Sequence, residues 1–155
     1  MDDADLMRRA IALSCESVES GGGPFAAIVV RDGEIVGEGI NRVVPNADPT
    51  AHAEIVAIRA ACRTLGSHVL DRAAIYTSCE PCPMCLGAIY WARLSRIVYG
   101  NSRSDAAAIG FDDDAIYREV AAPIEDRKIP LERLMAEEAR QAFDLWESKA
   151  DRIQY

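Results

Sequence analysis

Two short blocks, His52-Ala53-Glu54 and Cys79-Glu80-Pro81-Cys82-Pro83-Met84-Cys85, constrain this chain more than any other feature. Read together, they hold cysteine and imidazole ligands and a carboxylate that make chemical sense only if the fold brings them to one place. Two thiolates and one imidazole on zinc leave the fourth tetrahedral position open, as a catalytic zinc requires. A carboxylate nearby is the right kind of group to move protons around an activated water.

Helix geometry sorts the candidates. Cys82 and Cys85 are three residues apart at an expected helix start, on neighbouring parts of one face, so both thiols can meet one ion. The amino end of that helix favours negative sulfur, and Pro81 and Pro83 suit a first turn, where a missing N–H costs little. His52 and Glu54 stand about 200° apart on an ideal helix, so regular geometry does not let both ligate. His52 is therefore read as the ligand and Glu54 as a neighbour that handles protons. Two other readings stay open on spacing alone. Cys79 as a fourth ligand would close a purely structural zinc site in a non-catalytic, zinc-stapled binding module. A Cys-x-x-Cys pair can also be a redox dithiol, although no thioredoxin-like unit surrounds this one.

The remaining chain reads as alternating α and β elements. An amphipathic helix is expected from Asp5 to about Ser20, stopped by Gly21-Gly22-Gly23-Pro24. That glycine run lacks the following G-K-[ST] and the preceding strand of a phosphate loop, so a mobile connection is expected there. Phe25 to Arg31 reads as a buried strand, turned by Asp32-Gly33 into a second strand from Glu34 to Ile40, and Asn41 follows at its end. Asn41 has two readings, a ligand-facing polar group or a turn residue satisfying nearby backbone. Thr50 is the expected cap of a helix reaching Leu65, closed by Gly66. A strand from Ala73 to Ser78, a helix from the cysteine block to Arg93, and a strand from Ser95 to Tyr99 come next. A short helical stretch before Pro123 and a last helix from about Leu131 to Lys149 complete an α/β layered domain around one mixed sheet.

Composition narrows the partners. Lys and Arg total 17 against 25 Asp and Glu, a net charge of −8. With no dense basic patch, a polyanionic nucleic-acid backbone is a poor partner, and a small neutral or cationic substrate is expected. Met1 to Asp5 lack the features of a signal peptide, and no apolar run reaches membrane-spanning length, so no membrane partner is expected. Three of the five cysteines lie within seven residues, a poor disulfide framework. A reducing cytoplasm is the expected location.

The pattern His52-Ala53-Glu54 followed by Pro81-Cys82-Pro83-Met84-Cys85 resembles the zinc-dependent cytidine and nucleobase deaminase superfamily, whose H-x-E and P-C-x-x-C arrangement is a known signature. Longer stretches, Thr50 to Glu54, Thr77 to Arg93 and Ala108 to Asp113, together with Gly22-Gly23-Pro24-Phe25 and the Tyr155 ending, are similar to the bacterial guanine deaminases within it. That resemblance implies a three-layer α/β/α cytidine-deaminase-like fold with a mixed sheet of about five strands, spanning residues 1–155. It implies one Zn2+ per subunit on His52, Cys82 and Cys85, with Cys79 a neighbour instead of a ligand. Glu54 would carry protons, joined by Asp113, which is singled out from the run Asp112-Asp113-Asp114 by counting from Phe111. Phe25, Asn41, Ala53, Trp91 and Tyr155 would bind the substrate, a purine base. The implied reaction is hydrolysis of guanine to xanthine and ammonia, with guanosine or an ammeline-like triazine as alternative substrates. The resemblance also implies a homodimer that exchanges its carboxy-terminal segments, about residues 102–155.

Overall fold

The computed structural model describes residues 1–155. Two compact units make up the chain, 1–113 and 114–155. The first is built on a four-stranded sheet, β1 (Ala26–Arg31), β2 (Glu34–Ile40), β3 (Ala74–Cys79) and β4 (Arg96–Asn101), in the order β2-β1-β3-β4. β1 runs antiparallel to both β2 and β3, whereas β3 and β4 are parallel, so the sheet is mixed. The count is four strands where about five were expected, because the chain leaves β4 directly into helix α5 (Arg103–Ala108). Ser102 starts that helix with a reciprocal capping box: its hydroxyl accepts from the Asp105 N–H while the Asp105 carboxylate accepts from the Ser102 N–H.

Alternation along β1 explains the layers. Ala26, Ile28 and Val30 point to one face and pack with Leu6 and Leu13 of α1 (Asp3–Glu19). Ala27 and Val29 point to the other and pack with Ala53, Ala57 and Ala61 of α3 (Ala53–Leu65) and Ile89 of α4 (Pro83–Trp91). One helix below and two above give the three layers. The hairpin between β1 and β2 turns on Asp32 and Gly33, both at positive φ (51° and 83°), as a two-residue turn of primed type requires.

The glycine run after α1 is an ordered helix stop and not the mobile connection expected from composition. Gly21 is left-handed (φ 86°), its N–H donates to Val18 O, and the Gly22 N–H reaches back to Ser17 O at 2.8 Å. This 6→1 and 5→2 pair satisfies the last carbonyls of α1 in a Schellman motif.

Thr50 does not cap α3. Its hydroxyl and N–H are both spent on Asp48 Oδ1 in a turn, and His52, itself extended, occupies the cap position. A single helical turn, α2 (Val43–Asn46), lies in the loop before it. The expected last helix is also shorter. Met135 adopts positive φ (53°), which halts any helix begun at Leu131, and α7 covers only Arg140–Ser148. Ahead of it, the second unit has α6 (Asp114–Ala121) and a 3₁₀ turn at Ile124–Asp126. No helix is long and apolar enough to cross a membrane.

Two glycines of β2 set how close α3 lies to the sheet. A Cβ on Gly39 would stand 2.2 Å from Ala53 O and 2.5 Å from Ala57 N, and one on Gly37 would stand 2.5 Å from Ala57 O. The alanines recur every four residues along the facing stripe of the helix, so backbone meets backbone over two turns. Gly39→Ala is expected to lift the amino end of α3, lower stability by about 1–3 kcal/mol and reduce bound zinc. Denaturant unfolding and metal analysis of the purified variant check both effects.

Candidate metal centre

Every element that bears a candidate site residue reaches the same end of the sheet. β2 and β3 finish there, at Ile40 and Cys79, and β1 starts there, with the Ala26 N–H donating to Ser78 Oγ at 3.0 Å. Such carboxyl-end clefts are where α/β sheets place ligands. α3 and α4 both begin at this end, and each starts on a ligand candidate: His52 (φ −64°, ψ 152°) and Cys82 (φ −69°, ψ 169°) are the two cap residues. Neither side chain caps its own helix. Both turn instead toward one point, where the His52 Nδ1 lies 3.5 Å from Cys82 Sγ and 3.5 Å from Cys85 Sγ.

The three ligand atoms lie within 4.8 Å of one another. Tetrahedral zinc with Zn–S near 2.3 Å and Zn–N near 2.1 Å has S···N edges of about 3.6 Å, so the donor set fits this ion in both chemistry and spacing. The extended cap conformation of His52 removes the helical conflict with Glu54. Glu54 lies in the first turn of α3 at 8 % exposure, beside the cluster and outside the ligand set.

The sulfur electrostatics match this geometry. Hydrogen bonding from the Cys85 thiol, with further support from His52, pulls the Cys82 thiol down to about 4. Cys85 moves the other way, chiefly because it keeps its proton to donate to Cys82. Two helix amino termini add their partial positive charge. His52 is raised by its bond to the Cys82 sulfur, and Glu54 is raised mainly by burial.

Cys79 is a different kind of thiol. Burial raises it to about 11, its Sγ–H points to Ser102 O at 3.7 Å, and it stands outside the ligand cluster. Among the remaining candidates, Asn41 is 7 % exposed and its Oδ1 accepts from the N–H groups of Gly23 and Val43. It thus does the backbone work of a turn residue while keeping its Nδ2 donors for something else. Phe25 packs edge-on against Phe111, ring centroids 4.9 Å apart. Ala53 is buried at the first position of α3.

Asp112 is exposed, Asp114 pairs with Arg118 in α6, and Asp113 pairs with Arg103 Nε at 3.3 Å. Arg103 in turn donates its main-chain N–H to Glu80, within the cysteine block, so Asp113 is tied to the metal end of the sheet. Glu80 and Arg103 escaped the sequence reading because nothing in their spacing marks them; Phe111 entered it only as a counting landmark. Trp91 and Tyr155 lie outside the ligand cluster's own residues. Trp91, 65 % exposed, closes α4 nine residues after Cys82, about 13 Å along the helix axis. Tyr155 is exposed in the second unit.

Residues 1–101 match the family described as the cytidine and deoxycytidylate deaminase zinc-binding region. The chain belongs to this deaminase family. It is 49 % identical over 156 residues to the guanine deaminase of Bacillus subtilis (strain 168), covering 100 % of both chains. The crystal structure of the Bacillus subtilis guanine deaminase superposes with a TM-score of 0.96 over 100 % of this chain and 99 % of that one. A tRNA-specific adenosine deaminase of Haemophilus influenzae is 39 % identical over 72 % of this chain and 68 % of its own. A structure in complex with 2,6-diaminopurine reaches a TM-score of 0.68 at 37 % identity, over 70 % of this chain and 61 % of that one. The fold is thus the cytidine-deaminase-like one, and the matched region binds zinc.

Because Cys79 is a buried thiol outside the ligand set, Cys79→Ala is expected to retain one zinc per chain. Loss of the metal in that variant, read by elemental analysis, would show a closed four-ligand site.

Proposed function

We propose that this deaminase hydrolyses guanine to xanthine and ammonia at a zinc centre held by His52, Cys82 and Cys85. The carrying observation is a buried carboxylate, Glu54, set beside a three-ligand cluster, in a chain similar end to end to a guanine deaminase. Zinc, when bound, supplies Lewis-acid activation of water at the open fourth position. The chain's residues do the rest. Glu54 accepts a proton from the attacking water and returns protons to the ring and the departing amino group, so the C2–O bond forms as the C2–N bond breaks and ammonia leaves. Burial raises its proton affinity, which suits a group that must both take and give.

Asn41 recognises the base. Its oxygen is committed to Gly23 and Val43, so its Nδ2 N–H groups are the ones presented to purine acceptors. The Phe25 ring, held by Phe111, offers a flat apolar wall for a flat ring. Ala53 lines the floor at the start of α3. Asp113, oriented by Arg103, serves as the second proton carrier near the leaving amine.

The working form is a homodimer in which the carboxy-terminal segment crosses to the partner; Arg103 and Phe111 hold residues up to Asp113 against Glu80 and Phe25 of their own chain, so the crossing segment begins after Asp113 and not at about residue 102. α6 and α7 bury none of their own residues, and Phe143, Leu145 and Leu134 are widely exposed. Tyr90 and Trp91 likewise leave the outer face of α4 apolar and open. Surfaces of this kind on a folded chain call for a protein partner, and a second copy whose tail contributes Tyr155 across the interface answers both. Three of the five cysteines lie within the metal block, a poor disulfide framework, which supports a reducing cytoplasm as its location. The net charge of −8 disfavours a transfer-RNA substrate.

Zinc-loaded protein incubated with guanine should release xanthine and ammonia in equal amounts; no turnover with the metal bound would sink the reading. Parallel rates on guanosine, cytosine, adenine and ammeline decide the substrate class. Glu54→Gln should keep its zinc and lose about 10²–10⁴-fold in kcat. Segment exchange has its own test. Co-expressing Glu54→Gln with a chain lacking Tyr155 should restore about one quarter of wild-type activity, because half the dimers are mixed and each has one intact site. No recovery would argue against a shared site.

A further inference from the structure

The buried stripe of α1 runs Leu6, Ala10, Leu13, Ser17. Its first three members are apolar and pack beneath the sheet or against it. The fourth is a serine at 0 % exposure. A buried hydroxyl there is costly unless it is hydrogen-bonded, and an alanine would fill the same stripe without that requirement. Ser17 Oγ donates to Gly23 O at 2.7 Å and approaches Asn41 O at 3.3 Å. Its carbonyl accepts the Gly22 N–H at 2.8 Å. Both ends of the residue thus hold the Gly22-Gly23 backbone, and the Gly23 N–H is one of the two donors that fix Asn41 Oδ1. The next residues complete the loop: the Asn41 N–H donates to Phe25 O at 3.0 Å. Space is tight enough to transmit a shift, since a Cβ on Gly22 would stand 2.2 Å from Asn41 O and 2.6 Å from Ser17 Oγ.

We propose that Ser17 is a positioning residue for base recognition: by clamping Gly22 and Gly23 it fixes the rotamer and the donor direction of Asn41. It touches no substrate itself. The inference rests on the purine reading given above, because it needs Asn41 to face the base. It links the carboxyl end of α1, on one side of the sheet, to the ligand cleft through a single hydroxyl.

Ser17→Ala, Asn41→Ala and the double variant test it. With zinc content unchanged, Ser17→Ala should raise the KM for guanine about tenfold while kcat moves less than about twofold, the pattern of lost ground-state binding. In the Asn41→Ala background the same change should cost less than about twofold in kcat/KM, because both act through one contact. The Asn41 side-chain amide signals in ¹⁵N NMR should shift in Ser17→Ala without any substrate present. Gly22→Ala, whose Cβ would press on both Asn41 O and Ser17 Oγ, should shift them too and serves if Ser17→Ala folds poorly. Additive losses in the double variant, or unmoved Asn41 signals alongside normal wild-type turnover of guanine, overturn this proposal alone. A zinc-loaded wild type that neither binds nor deaminates guanine overturns the purine reading, and the recognition role of Ser17 falls with it.

Discussion

The site depends first on how closely one helix can lie on one strand. Gly37 and Gly39 bring the backbone of β2 against Ala53, Ala57 and Ala61 of α3, with no side chain between them. That contact sets the height of α3 over the sheet and therefore the position of its first residues. His52 and Glu54 are those residues. A helix held one methyl group farther out would carry the imidazole away from the two sulfurs, which α4 places at the end of β3.

A second economy follows from using cap positions for ligands. His52 and Cys82 each sit where the chain is still extended and the helix is about to begin. Their side chains leave the helix axis freely, which regular helical positions would not allow for His52 and Glu54 together. The same placement directs two sets of unsatisfied N–H groups at the sulfurs and at any anionic group bound between them. The helices lose the capping bond that Ser or Asp would have provided, and Pro83 at the first turn of α4 eases that loss by removing one orphan donor.

The residues proposed for base recognition are built separately from the metal ligands. Asn41, Phe25 and the glycine turn belong to the α1–β1–β2 side, whereas the ligands belong to α3 and α4. The two halves meet at one end of the sheet because β1 begins where β3 ends. Asp113 joins them through Arg103 and Glu80, giving the cysteine block a tether to the loop that carries Phe111. On the proposed reading, chemistry and specificity answer to different substitutions, with Ser17 on the specificity side.

Much of this was legible in the residues. Strand alternation, the Asp32-Gly33 turn and the His52/Cys82/Cys85 pattern follow from local periodicity and ligand chemistry, which neighbouring side chains do not change. The same patterns give α/β layers around a mixed sheet, and the family resemblance adds the three-layer order. Other features required the assembled chain. Thr50 reads as a cap, yet Asp48 captures its hydroxyl; Gly21 to Gly23 read as a mobile link, yet they close a helix and hold Asn41. Leu131 to Lys149 has helical composition, yet the left-handed Met135 divides it. The sequence by itself determined which atoms could bind zinc and carry protons, because that depends on residue type and short spacing. Only the tertiary structure decided that the Cys79 thiol turns to Ser102 O, that Arg103 links Asp113 to Glu80, and that a serine on the far helix reaches Asn41. Each of those depends on which distant backbone groups come within hydrogen-bonding distance, and no local pattern encodes that.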